Sequence, residues 1–397
     1  MTGLQTARIL AGHGVPVVGV VSDPGHFAAR TRVCREIRRS LVGADRLVDD
    51  LEAWGPELRG AVLVPCTDLS VALASRHRDR LEPFYRWAMP DHRVVELLMD
   101  KVSFARYAAE AGLDVPVSAI LADRADAERA ADELTFPAVV KPPIKAEAWT
   151  RHTKAKAIVV AGRDELLDTY DRTRAWAPLL LAQQWIPGGD DCLVSCNAYF
   201  DASSTPLVTF VARKVRQWPP ETGTSASGVE CRDDVVLEAT IRLFGGLGYR
   251  GLAYLEMKRD PQTGRHFVIE PNIGRPTGRS AIAEAGGVDL LWTMYCDVAG
   301  LPLPARTVQK YGGAKWLDVR RDLQSAIHDW RRGALTPRQW LGSLRGPVFH
   351  AIWARDDPWP FFFDVGQAAG KGIRRVASRA TRRVRHRRRP APDGEVD

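Results

Sequence analysis

Residues 254–272 read YLEMKRDPQTGRHFVIEPN: two apolar runs around a turn that carries Pro261 and Gly264. The spacing predicts a β-hairpin, LAYLEMK against HFVIEPN. Glu256 falls on the first strand and Glu270 on the second. Side chains alternate along a strand, so Asn272 shares a face with Glu270, and Glu256 lies near both across the hairpin. Three oxygen donors converging in an apolar frame suit a hard cation such as Mg²⁺ that bridges phosphates. The competing reading is a pair of surface carboxylates. It weakens because both acids interrupt mostly apolar strands, where an unpaired charge is costly.

Three further elements surround this hairpin. FPAVVKPP (136–143) reads as a short strand that ends on Lys141, and a lysine leaving a buried strand can reach nucleotide phosphates as a point charge. Lys101 in MDK and Lys156 in KAKAIVV are further cations of the same region. AQQWIPGGDD (182–191) is an apolar strand running into a Pro-Gly-Gly turn. Gln183, Gln184, Trp185 and Ile186 can set backbone groups and apolar side chains around an adenine ring, with Asp190 and Asp191 beyond the turn near a ribose. RKVRQWPPETGTS (213–225) offers Arg213, Lys214 and Arg216 before a Pro-Gly loop, and Arg275 and Arg279 follow Asn272. Such arginines can hold a carboxylate or the charge of a transferring phosphoryl group, or serve only as salt-bridge partners.

Upstream, residues 2–13 read as a helix and 15–23 and 61–68 as strands of an open parallel α/β sheet. A doubly wound unit normally begins with a strand, so the expectation is either a sheet without its first strand or a start upstream of the recorded one. HRVVELLMDKVSFARYAAEAGLDVP (92–116) is helical by period. Strands are expected at 135–143 and 154–161, and over 179–191 a strand running into its turn, then an antiparallel-looking series broken by a helix over 233–248. GLGYRG (246–251) spells GxGxxG but follows a helix and precedes a strand, so it is a cap and turn. GQAAGKG (366–372) is one residue short of a P-loop and has no preceding strand.

Of the 397 residues, 45% are hydrophobic and 26% charged, which excludes wholesale disorder and predicts two or three domains. No uninterrupted apolar run reaches the roughly 18–20 residues that span a bilayer, and the first residues do not read as a signal peptide. The net charge of +8 is local: residues 365–397 hold ten Lys or Arg against three acids, leaving the remainder nearly neutral. That argues against specific nucleic-acid binding by the body. The six cysteines form no CxxC pair and read as reduced thiols.

In this order the elements resemble the ATP-grasp superfamily, in particular its carboxylate–amine ligases, over about residues 1–305. The RKVRQWPP loop and WRRGALTPRQWLGSLRGP (330–347) look most like bacterial ligases related to D-aspartate ligase. The fold the resemblance implies is α/β and α+β. An N-terminal open parallel α/β domain (1–92) precedes a two-lobed ATP-grasp fold (93–305, small lobe to about 178). A mixed segment (306–364) and a basic tail (365–397) follow. The implied activity is ADP-forming ligation. ATP phosphorylates a carboxylate, of an amino acid or small organic acid, and an amine attacks the acyl phosphate. The implied cofactors are ATP and Mg²⁺ or Mn²⁺. Lys141, helped by Lys101 and Lys156, would meet the phosphates. Gln183, Gln184, Trp185, Ile186 and Asp191 would line the nucleotide site, and Glu256, Glu270 and Asn272 would hold the metal. Arg275 would meet the phosphoryl group or carboxylate, with Arg216 and Arg279 on the substrate. Two positions depart from the family pattern: Gln184 stands where the hinge commonly carries Glu, and PIKAEAWTRHT (143–153) is bulky where the loop over the phosphates is usually rich in small residues.

The tail lies outside that resemblance. Phe362, Val365, Ala369, Ile373, Val376, Ala380 and Val384 recur at helical spacing beside an Arg-rich face, the pattern of a basic helix on an anionic membrane through 361–389. A solvated basic tail and nonspecific RNA binding are the alternatives. The expected location is the cytoplasm, with a peripheral position at the inner membrane face under the first reading, and a homodimer is left open. The alternative to an enzyme is a nucleotide-binding ATP-grasp scaffold without turnover, tethered by this tail.

Overall fold

A computed structural model describes residues 1–41, 45–143, 147–153, 155, 157–177, 179–221 and 223–370. The N-terminal region pairs β1 (Val17–Val21) with β2 (Cys34–Arg39), and β3 (Ala61–Val62) with β4 (Tyr85–Arg86). Both pairings are parallel, as the sequence predicts, but they form two separate pairs. The strand expected over 61–68 stops at Val62. Pro65 has no N–H to give a ladder, and Thr67 instead caps the helix Asp68–Arg76 through a reciprocal bond with Ser70.

The single helix expected over 92–116 is two, His92–Met99 and Lys101–Glu110. Asp100 between them is extended, and its carboxylate accepts from the Ser103 N–H at 2.8 Å. An Asp at that position caps a new helix better than it continues an old one.

Two sheets follow. The small one comprises β5 (Ser118–Leu121), β6 (Ala138–Lys141), β7 (Ile158–Val160) and β8 (Leu180–Gln184), ordered β5-β8-β6-β7 and antiparallel throughout. The large one comprises β9 (Leu193–Phe200), β10 (Pro206–Trp218), β11 (Thr224–Glu230), β12 (Gly251–Arg259), β13 (His266–Ile273), β14 (Lys315–Leu317) and β15 (Val348–His350). Its order is β13-β12-β9-β10-β11-β14-β15, with only the last pair parallel. The 306–364 segment therefore extends the edge of the large sheet.

Alternation divides the large sheet into two faces. Val194, Cys196, Ala198, Val211, Ala253, Leu255 and Met257 point to one side and share a core with the N-terminal region (Val48, Val71, Leu81) and the helices at Val95 and Phe104. The helix Asp234–Gly245 covers that face with Val236, Ala239, Leu243 and Phe244, spaced at three and four residues. On the other side, Tyr199, Phe210, Ala212 and Leu252 bury against the helix Leu290–Ala299. Further along the strands that second face becomes polar, and there the candidate site lies.

The six cysteines are unpaired. GLGYRG joins the helix ending at Gly245 to β12, as a cap and turn should. Residues 366–370 are helical, and 371–372 of the P-loop-like string lie outside the described residues. No helix among the described residues is long and apolar enough to cross a membrane.

Candidate active site

The hairpin forms as expected, with Glu256 opposite Glu270 and Tyr254 opposite Asn272. On the next strand Ser195 faces Glu256 and Asn197 faces Tyr254. Counting by twos from Glu256 therefore reaches Tyr254, Ser195, Asn197 and Lys258, none of which the site prediction singled out. Gly274 turns the chain after Asn272 at φ +63°, where a Cβ would also press on Val71 at 3.1 Å. That turn returns Arg275 and Arg279 to the sheet.

Glu256 is buried among cations. Lys214 Nζ donates to its Oε1 at 2.9 Å, Tyr254 Oη donates to Oε2 at 2.9 Å, and Arg279 Nη2 stands 3.4 Å from Oε2. Burial alone would push this carboxyl up; Lys214 and Arg279 outweigh it and hold Glu256 below the ordinary carboxylate range. Glu270 is exposed. The Asn272 side-chain oxygen accepts from Arg275, whose Nε also donates to Asp68 at 2.7 Å.

Arg279 is almost wholly buried, and its Nη2 donates to Ser195 Oγ at 3.0 Å. Its Nη1 and the Asn197 Nδ2 are buried without hydrogen-bond partners among the described residues. A buried unsatisfied donor costs about 1–3 kcal/mol, which an incoming acceptor such as a carboxylate would relieve.

From the small sheet, Lys141 ends β6 and its Nζ donates to Gln183 Oε1 at 2.7 Å. Burial, reinforced by Lys101, pulls this amine down to about 8, and Glu270 opposes the shift. Lys101 and Glu270 are thus both within electrostatic reach of Lys141. Gln183 Nε2 donates to Ser118 Oγ. Ile186 is buried, and Lys258 of the large sheet lies over the Trp185 ring, 4.5 Å from its centre, linking the two sheets.

Some predicted residues are engaged elsewhere. Arg216 is buried, with Nε donating to Asp322 at 2.7 Å and Nη2 to Ser343 at 2.9 Å. It belongs to the packing of the helix Val319–Arg331, because pairing with β11 slips on both sides of it. The N–H groups of Gln184 and Trp185 bond to Val117 and Pro137, so they do not point to a ligand. Asp190 accepts from the Gln217 backbone and side chain and anchors that loop, while Asp191 is exposed. Lys156 lies outside the described residues. No group of three His, Cys, Asp or Glu residues able to hold a metal occurs among the described residues. The hairpin set has two acids, with an amide as its third donor.

Two sheets, one presenting Lys141 and Gln183 and the other a carboxylate hairpin ringed by cations, make this the ATP-grasp fold. A curated D-aspartate ligase of Enterococcus faecium (strain Aus0004) is 24% identical over 239 residues, covering 58% of this chain and 56% of the relative. The chain thus spans little more than half the length of that relative. Among solved structures, the biotin carboxylase domain of Hydrogenobacter thermophilus 2-oxoglutarate carboxylase, in complex with MgADP and bicarbonate, aligns with TM-score 0.63 and 15% identity. It covers 79% of this chain and 71% of that one. N5-carboxyaminoimidazole synthetase from Staphylococcus aureus, complexed with ADP, aligns with TM-score 0.63 and 13% identity, covering 83% of each chain. No family model matches the chain.

Proposed function

We propose that this protein is an ADP-forming carboxylate–amine ligase. The observation that carries the reading is one polar sheet face. Glu256, Glu270 and Asn272 share it with Lys214, Arg275 and Arg279, and Glu270 of that face lies within electrostatic reach of Lys141 on the small sheet. The similarity to D-aspartate ligase and to ADP-bound structures supports the choice of chemistry.

The donor set fits Mg²⁺ or Mn²⁺, being oxygen throughout. Glu270, Asn272 and Glu256 would hold the ion, and Glu256 would share its carboxylate with Lys214. When bound, the ion neutralises phosphate charge. Lys141, beside Lys101, receives the phosphates of ATP, and Gln183 fixes its ammonium. Trp185, seated beside the buried Ile186, offers apolar surface to the base, and the exposed Asp191 meets the ribose. Arg279, with its unpaired N–H, anchors the substrate carboxylate, and Arg275 steadies the phosphoryl group as it transfers to that carboxylate. An amine then attacks the acyl carbon and phosphate leaves. The substrate is an amino acid or small organic acid. The division at about residues 93 and 306, a cytoplasmic location and a homodimer belong to the same proposal.

The protein incubated with Mg·ATP, pooled amino and hydroxy acids and hydroxylamine should form hydroxamate and ADP in equal amounts. Glu270→Ala should abolish both while the melting temperature stays unchanged. A folded Glu270→Ala protein that still forms hydroxamate would refute the assignment. ADP without hydroxamate would indicate kinase-type chemistry.

A further inference from the structure

Residues 359–370 form a helix mounted with its polar contacts inward. Phe361 packs against the core, Asp364 pairs with Arg320 at 2.7 Å, and Gln367 Nε2 donates to the Gly25 carbonyl at 2.7 Å. At 100° per residue these positions share one side. The outward side carries Trp359, Phe362 and Ala369, with Val365 on its flank, and Trp359, Phe362 and Val365 are 49%, 56% and 41% exposed. A surface helix usually does the reverse. At the rim, Arg30 lies 4.6 Å over the Phe363 ring and Arg32 5.4 Å over the Trp359 ring. These residues line a cavity of about 410 Å³ with Phe362.

We propose that this face docks the protein on an anionic membrane surface. The outward apolar side supplies the part that enters the interface, and Arg30 and Arg32 meet lipid phosphates beside it. Charge complementarity selects this occupant. The sequence leaving the helix carries seven net positive charges over residues 365–397, which attract anionic headgroups and repel a second copy of the same chain. Nucleic acid would satisfy the charge but leave Trp359, Phe362 and Val365 in water. The inference stands apart from the ligase reading, because no residue of the helix belongs to the candidate active site.

The test is cosedimentation of the full chain with vesicles of phosphatidylcholine alone, or with phosphatidylglycerol added. Pelleting is expected only with the anionic vesicles and should weaken with salt. Phe362→Ser/Val365→Ser changes two exposed side chains, so the fold should persist. It should weaken pelleting by about tenfold or more. Three outcomes would overturn the proposal: no pelleting by the wild type, equal pelleting by the double variant, or a sedimentation coefficient showing that the substitutions dissolve a dimer instead. ATP turnover, measured on the same preparations, should be equal in both proteins. Its absence would count against the ligase reading alone.

Discussion

Lys214 and Arg216 stand two residues apart on β10, both buried and both paired to a carboxylate. Lys214 meets Glu256 among the candidate metal and substrate residues, whereas Arg216 meets Asp322 on a helix outside that set. A cation chain of RKVRQ thus divides between chemistry and support. What separates them is a ladder irregularity on each side of Arg216, which breaks the count by twos. A buried charge near a site is therefore a functional candidate only once its partner is known.

The largest effect should come from the supporting pair. Among the described residues, Arg216→Met leaves the buried Asp322 side chain with only the Trp340 N–H at 2.8 Å. Stability should fall by about 3–5 kcal/mol, read by urea unfolding. Arg216→Met/Asp322→Leu should recover most of it, because removing both charges leaves none uncompensated. Hydroxamate formation per folded molecule should stay within a few-fold of wild type in both. A large loss of activity with intact stability would reverse the roles drawn here.

Lys214→Met should do the opposite. Glu256 keeps Arg279 and Tyr254, so stability should fall less than in Arg216→Met. Turnover should drop about 100-fold or more, the size of effect seen when a charge-stabilising donor is removed from a site. If Lys214→Met only unfolds the protein and spares the rate, Lys214 is a strut like Arg216.

The same contrast explains how much was legible in the sequence. The hairpin, Lys141 and the Leu180–Gln184 strand were readable because strand period and turn residues fix them locally, and Glu256 stands opposite Glu270, and Tyr254 opposite Asn272, as the alternation requires. Lys258 was within reach of the same count but was passed over. The pairing of Arg216 with Asp322 is not legible in the sequence, because a slip in the ladder has no local signature there. The break at Asp100 was hidden by apolar residues that keep helical spacing across it, although an Asp followed three residues later by Ser is a cap signal. The edge strands β14 and β15 have three residues each and are held by pairing to distant chain, which no window of sequence displays.

Lys141 sharpens the comparison further, since its acceptor is the neutral Gln183 where that of Lys214 is a carboxylate. Burial, reinforced by Lys101 and with no carboxylate bonded to it among the described residues, pulls its ammonium down to about 8, where the unperturbed amine titrates at 10.5. Between those values the unfolded chain holds the proton that the folded one has lost. Lys141 thus contributes a stability that rises with pH across that window and is lowest below it. Phosphate binding runs the other way, because an anion needs the protonated amine. By calorimetry, ATP affinity should weaken about tenfold from pH 7 to pH 9 on account of this group. In Lys141→Met the affinity should be weaker at pH 7 and should lose that slope. A wild-type affinity flat between pH 7 and 9 would place the phosphates away from Lys141 and leave the cations of the large sheet to hold them.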